Sequence, residues 1–103
     1  MREIDVTELH HLLAEGVALI DVREPQEYAQ ARVPGAVLIP MGQLSSRTAE
    51  LPQGEPIYLI CRSGNRSGVI GEVLETRGLE AVNIVGGTIA WVQAGYPYDS
   101  GTA

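Results

Sequence analysis

The chain has 103 residues, of which 45% are hydrophobic, a composition that fits one globular domain and contains no apolar run near the roughly 20 residues of a membrane-spanning helix. Seven arginines, no lysine and thirteen acidic residues give a formal net charge of −6, which argues against non-specific binding to nucleic acid or to an anionic membrane, since both need basic surface. Cys61 is the only cysteine and the first five residues carry no apolar leader, so the expectations are no disulfide, a reducing compartment and a cytoplasmic location.

In chain order, Ile4 and Val6 alternate with polar residues and predict a brief opening strand. Thr7 is a good N-cap for a short helix in which Leu9, Leu12 and Leu13 recur at i, i+3 and i+4, and Gly16 stops it. Val17 to Val22 is apolar except for Asp21, the pattern of a strand covered on both faces. Pro25 suits a helix start, and Val33-Pro34-Gly35-Ala36 predicts a turn. A strand from Ala36 to Ile39 ends at Pro40. Gln43 to Leu51 reads as a helix with weak periodicity, and Pro52 to Pro56 as a loop.

Ile57 to Ile60 then delivers Cys61 to the end of an apolar run, and the chain turns abruptly to Arg62-Ser63-Gly64-Asn65-Arg66-Ser67. An amphipathic pattern resumes with Val69, Ile70, Val73 and Leu74, and Gly78 ends it. Gly68 and Gly71 each cost such a helix about 1 kcal/mol relative to Ala, so close approach by a neighbour is expected there. Ala81 to Val85 predicts the last strand, Gly86-Gly87 a turn, and Thr88 the N-cap of a helix carrying Ile89, Trp91 and Val92 before Gly95. The tail, from about residue 98, is polar and expected to be loose at its end.

Strands alternate with helices throughout, which predicts a single α/β domain with a mostly parallel sheet and helices on both faces. Sites in such sheets lie at the carboxyl ends of strands, where Cys61 and Asp21 both fall. A loop entering a helix turns several N–H groups toward one point and so forms an anion site. Residues 57 to 71 carry Arg62 and Arg66 and no acidic residue, a local +2 within a net −6. A lone cysteine at a strand end is by itself most simply a small buried hydrophobe. Two arginines, a glycine and small polar residues beside it instead suit a thiolate nucleophile in its own anion cradle.

Asp21-Val22-Arg23-Glu24, the turn Val33-Pro34-Gly35-Ala36, the loop Cys61 to Ser67, and Gly86-Gly87 followed by Trp91 and Gly95-Tyr96-Pro97 resemble, in this order, a single-domain rhodanese. The resemblance spans nearly the whole chain and implies a rhodanese-like domain with a central five-stranded sheet. It implies a sulfurtransferase that moves a sulfane sulfur from a small anionic donor such as thiosulfate to cyanide, a low-molecular-weight thiol or a thioredoxin-like protein. Carried onto this chain, Cys61 is the nucleophile and persulfide carrier. The loop Arg62, Ser63, Gly64, Asn65, Arg66 and Ser67 binds substrate, with the N–H groups of residues 62 to 66 around the sulfur and Arg62 and Arg66 on the donor. Asp21 and Arg23 are supporting residues, and neither a metal nor an organic cofactor is implied. Ala31-Arg32 stands where the family often has Gly-His, and Arg32 is expected to meet Asp21 or Glu24.

Other readings start from the same residues. A cysteine-dependent phosphatase or arsenate reductase also places a thiolate in a loop before a helix, but looks for Arg six positions after the Cys, where this chain has Ser67. A non-catalytic rhodanese-like binding module usually lacks the cysteine. Neighbouring His10 and His11 point about 100° apart on a helix and read as surface rather than metal ligands. Gly86-Gly87 lacks the Lys and spacing of a phosphate loop. Trp91 and Tyr28 read as core or pocket-wall aromatics. No coiled-coil seam or long apolar stripe sets an oligomeric state.

Overall fold

A computed structural model describes residues 1–101. Five strands form one sheet in the order β1-β5-β4-β2-β3: β1 (Arg2–Ile4), β2 (Leu19–Asp21), β3 (Val37–Leu38), β4 (Ile57–Ile60) and β5 (Ala81–Ile84). Every pairing between them is parallel. The helices are α1 (Val6–Ala14), α2 (Pro25–Gln30), α3 (Met41–Leu44), α4 (Asn65–Thr76) and α5 (Gly87–Gln93). Among the described residues no helix is long and apolar enough to cross a membrane.

The period of two along β4 builds two cores, one on each side of the sheet. Tyr58 and Ile60 join Ile4, Leu19, Val82 and Ile84 under Leu9 of α1 and Trp91 of α5. Ile57, Leu59 and Cys61 join Ile20 and Ala81 under Leu44 of α3 and Ile70 and Leu74 of α4. Both faces of the strand are thus dry, and each fully buried Leu or Ile contributes about 1.5–3 kcal/mol.

Several local expectations are corrected. Val6 opens α1 instead of closing β1, and the N-cap is Asp5, whose Oδ1 accepts the Glu8 N–H at 2.9 Å; Thr7 lies inside the first turn. Gln43 to Leu51 is not one helix. It divides into α3 and a 3-10 turn at Thr48–Glu50, because only Leu44 and Leu51 reach the core, and the Ser46 hydroxyl bonds back to the Gln43 carbonyl at 3.0 Å. The buried stripe of α4 is Ser67, Ile70, Gly71 and Leu74, an i, i+3, i+4, i+7 set. Val69 and Val73 are exposed at 57% and 37%.

The two helical glycines do admit close neighbours. Gly71 faces the Met1 side chain and Leu59, and Gly68 faces Asn83. The cap of α5 is Gly86 at φ 82°, not Thr88. The chain after Trp91 is tied down: Arg32 and Asp99 exchange backbone hydrogen bonds at 2.9 and 3.0 Å, and the Gly101 N–H donates to the Ala29 carbonyl at 2.7 Å. The expected loose end concerns Thr102 and Ala103, which lie outside the described residues.

Candidate active site around Cys61

Cys61 follows the central strand β4 at its carboxyl end, and register pairs Ile60 with Asp21 on β2. Two strand ends therefore meet at the site. Val22 continues the ladder by donating its N–H to the Ile60 carbonyl at 3.0 Å. The loop from Arg62 to Gly64 then reverses the chain into α4, and Gly64, at φ 104°, occupies the left-handed region open to glycine.

This turn gathers donors on one sulfur. Cys61 is 1% exposed, and its Sγ accepts the Gly64 N–H at 3.1 Å and lies 3.3 Å from the Ser67 Oγ. Burial is the largest influence on the thiol and pushes it up. The Ser67 hydroxyl with the N–H groups of Ser67, Gly64 and Ser63 outweighs it, and holds Cys61 below the ordinary cysteine range. Donors left unpaired at the start of α4 supply this field. The contributing N–H groups thus extend to Ser67, one residue beyond the expected span of 62 to 66.

The other expected residues fall in different places. Arg62 is exposed and lines a cleft of about 170 Å³ with Arg23, Glu27, Gln30, Thr88 and Ile89. Ser63 is exposed at the tip of the loop, and Asn65 opens α4 beside it. Arg66 is turned onto α2, where its two terminal nitrogens each donate to a Glu27 carboxylate oxygen at 2.7 Å. Ser67 is wholly buried behind the sulfur. A larger cleft of about 500 Å³, lined by Thr48, Gln53, Arg77 and Leu79, includes neither Cys61 nor its loop.

Asp21 and Arg23 brace the floor. Asp21 is 0% and Arg23 4% exposed, and the Arg23 Nε and Nη2 donate to Asp21 Oδ1 at 2.9 Å and Oδ2 at 2.8 Å. Nη2 also donates to the Ala31 carbonyl at 2.7 Å. The guanidinium on Asp21 is therefore that of Arg23, not the expected Arg32. Arg32 instead donates to the carbonyls of Tyr28 at 3.1 Å and Gly101 at 2.8 Å, and stacks over the Tyr28 ring at 4.7 Å. The planar guanidinium at this position thus joins α2 to the segment around Gly101 through one terminal nitrogen, Nη1.

Sequence reading missed four contributors. Glu27 binds Arg66. Asn83 of β5 touches Ser67. Thr88 donates both its N–H, at 2.9 Å, and its hydroxyl, at 3.1 Å, to the Cys61 carbonyl. Gly87 lets α5 come close enough for those bonds, since a Cβ there would stand 2.5 Å from the carbonyl oxygens of Cys61 and Arg62. The glycine pair was visible as a turn; its proximity to the cysteine loop is a product of the β4–β5 pairing. His10, expected at the surface, is exposed but stacks on Tyr96 at 4.3 Å beside Trp91.

Comparison with known proteins agrees with this architecture. The family model described as Rhodanese-like domain matches residues 5–94. A protein of Allochromatium vinosum named Sulfurtransferase is 39% identical over 100 residues, covering 94% of each chain. YrkF of Bacillus subtilis is 40% identical over 78 residues, which are 75% of this chain and only 42% of YrkF. The crystal structure of a rhodanese-related protein from Thermoplasma volcanium superimposes with a TM-score of 0.89 at 30% identity, covering 96% of this chain and 98% of that one. Sequence match, sheet order and the cysteine at the end of the central strand coincide, and the chain belongs to the rhodanese-like domain family.

Proposed function

We propose that the chain is a sulfurtransferase that carries a sulfane sulfur as a persulfide on Cys61. The observation that carries this reading is the convergence of the Gly64 N–H and the Ser67 hydroxyl on one buried sulfur. Such donors favour an anionic sulfur in either of its two states, thiolate or persulfide. The Cys61 thiolate attacks the outer sulfur of thiosulfate; the new S–S bond forms as the old one breaks, and sulfite leaves with the electron pair. Cyanide, a small thiolate or the thiolate of a thioredoxin-like protein then attacks the outer sulfur of the persulfide. Thiocyanate or an acceptor persulfide departs, and the Cys61 thiolate returns. Splitting the transfer in this way replaces one difficult displacement by two easier ones.

Burial of Cys61 at 1% exposure favours donors whose reacting atom stands at a slim tip, as a sulfane sulfur does. Arg62, next to Cys61 in the chain, exposed and lining the cleft with Arg23 and Glu27, is the cation that receives the donor's anionic end. No cofactor enters this scheme, the domain acts as one unit, and the cytoplasm supplies the reducing setting it needs.

The test is intact mass of the reductant-free protein after incubation with thiosulfate, run beside Cys61→Ser, followed by cyanide and a thiocyanate assay. A gain of one sulfur on the unmutated protein alone, discharged by cyanide, is expected. No gain while Cys61 still alkylates would refute thiosulfate as donor and turn the question to phosphate-ester hydrolysis or arsenate reduction, or to binding without turnover.

A further inference from the structure

Asn83 sits on β5, 3% exposed, in a position where its hydrogen bonds can be assigned completely. Its amide nitrogen donates to the Glu3 carboxylate at 2.9 Å and to the Gly64 carbonyl at 3.1 Å. Both partners are acceptors only, so the amide is fixed with its oxygen toward Ser67, whose Oγ lies 2.5 Å away. Oxygen of the amide has no proton to give, and Ser67 has one. That same Ser67 Oγ stands 3.3 Å from the Cys61 sulfur. One hydroxyl proton thus faces two acceptors.

The protonation state of Cys61 decides between them. With the thiol present, S–H points to the Ser67 oxygen, Ser67 O–H points to Asn83, and every buried group is satisfied. When Cys61 gives its proton to solvent, the thiolate needs the Ser67 proton, and taking it leaves two oxygens 2.5 Å apart with none between them. We propose that Asn83 is a positioning residue that competes with Cys61 for the Ser67 proton and so sets how readily the cysteine ionises. Its effect opposes the loop donors. This has a use in sulfur transfer, because a sulfur nucleophile attacks best when its pKa lies near ambient pH, and one held too far below is a poor nucleophile.

The charged groups around the cysteine stand on its own loop and on α2, α4, β1 and β2. Arg62 stands on the loop, and Arg66 of α4 is paired with Glu27 of α2. Asp21 is paired with Arg23 at the end of β2, and Glu3 of β1 stands behind Asn83. The α5 neighbour is the uncharged Thr88, and α3 contributes apolar packing through Leu44.

This inference deepens the role proposed for Cys61, and its test reads acidity rather than sulfur transfer, so the two fail separately. The pH dependence of iodoacetamide alkylation would be measured for the unmutated protein, Asn83→Leu, Ser67→Ala and the double variant. Removing the competitor frees the Ser67 proton, and the alkylation midpoint of Asn83→Leu is expected to fall by about 0.5–1 unit. The fall should vanish in the Ser67→Ala background. An unchanged or raised midpoint in the folded single variant, or an equal shift without Ser67, overturns the proposal. Should Asn83→Leu not fold, NMR of the unmutated protein decides: the Asn83 carboxamide signals must titrate with the Cys61 midpoint, and signals that stay still overturn it.

Discussion

Glu27→Gln is expected to do two opposite things, weaken the fold and improve the site. In the unmutated protein the Arg66 guanidinium grips both carboxylate oxygens at 2.7 Å. Chiefly through those bonds, against opposing burial, the Glu27 pKa falls from 4.5 to about 2. At 1.36 kcal/mol per unit that depression sets a ceiling of roughly 3.4 kcal/mol. The Arg66 and Glu27 side chains are 38% and 25% exposed, so solvent screening reduces the expected contribution to about 1 kcal/mol. The folded-state pKa is depressed, so this stability is complete above about pH 4.5 and is lost as pH falls through about 2.

The functional half follows from the charge released. Glutamine leaves Arg66 without its counter-ion and free to turn back toward the anion site beside Cys61. A gain of about 1 kcal/mol in donor binding is a roughly fivefold lower KM for thiosulfate with little change in kcat. Urea titration at pH 7 and pH 3, with donor kinetics at low and high salt, would measure both halves. The stability gap should narrow at the lower pH, and the KM gain should shrink with added salt. A raised KM in a folded variant would refute the reasoning, because it would mean that Arg66 as held by Glu27 is already the donor's contact.

Arg23→Met strands the fully buried Asp21 carboxylate and is expected to cost about 3–5 kcal/mol of the roughly 5–15 available to a domain of this size; a urea-melt loss under about 1 kcal/mol would contradict the bracing role. Asp21→Leu combined with Arg23→Met should recover much of that loss, since the uncompensated charge is removed with its partner. The two buried glycines should behave differently under Gly→Ala. At Gly87 the new Cβ meets backbone oxygens at 2.5 Å, so the cysteine loop must shift, and slower Cys61 alkylation with a lower melting temperature is expected. At Gly71 the obstacle is the end of the flexible Met1 side chain, and Ala should be tolerated or add about 1 kcal/mol of helix propensity in the same melts. Ser67→Ala removes a donor that lowers the Cys61 pKa, so its alkylation midpoint should move up; a midpoint that stays put would remove Ser67 from the cradle.

How much of this was legible in the sequence depends on whether the signal was local. Alternating apolar runs and turns are local, and strands, the order of elements and the strand-end position of Cys61 are all readable from them. Caps are local too, yet the expected Thr7 and Thr88 give way to Asp5 and Gly86, because good capping side chains compete within a few residues and backbone geometry decides. Gly86 won where two successive positive φ values, 82° and 59°, turned the chain before Thr88 could act, and Thr88 then spent its donors on the Cys61 carbonyl. The valines of α4 show the same limit from another side: Val69 and Val73 fit a helical stripe as well as Ile70 and Leu74, but Ser67 and Gly71 must face β4 and β5, and that rotates the valines to solvent. Long-range partners left no local trace. Glu27 lies 39 residues from Arg66, Asn83 lies 80 from Glu3, and only the parallel pairing of β1, β5, β4 and β2 brings these groups to one end of one sheet. The loop sequence could therefore announce a cationic cradle, whereas the groups that neutralise Arg66 and claim the Ser67 proton belong to the fold. On the proposed sulfur-transfer reading, the charge offered to a donor is therefore smaller than the two arginines of the loop suggest, with Arg66 paired to Glu27 and Arg62 left to carry the larger share.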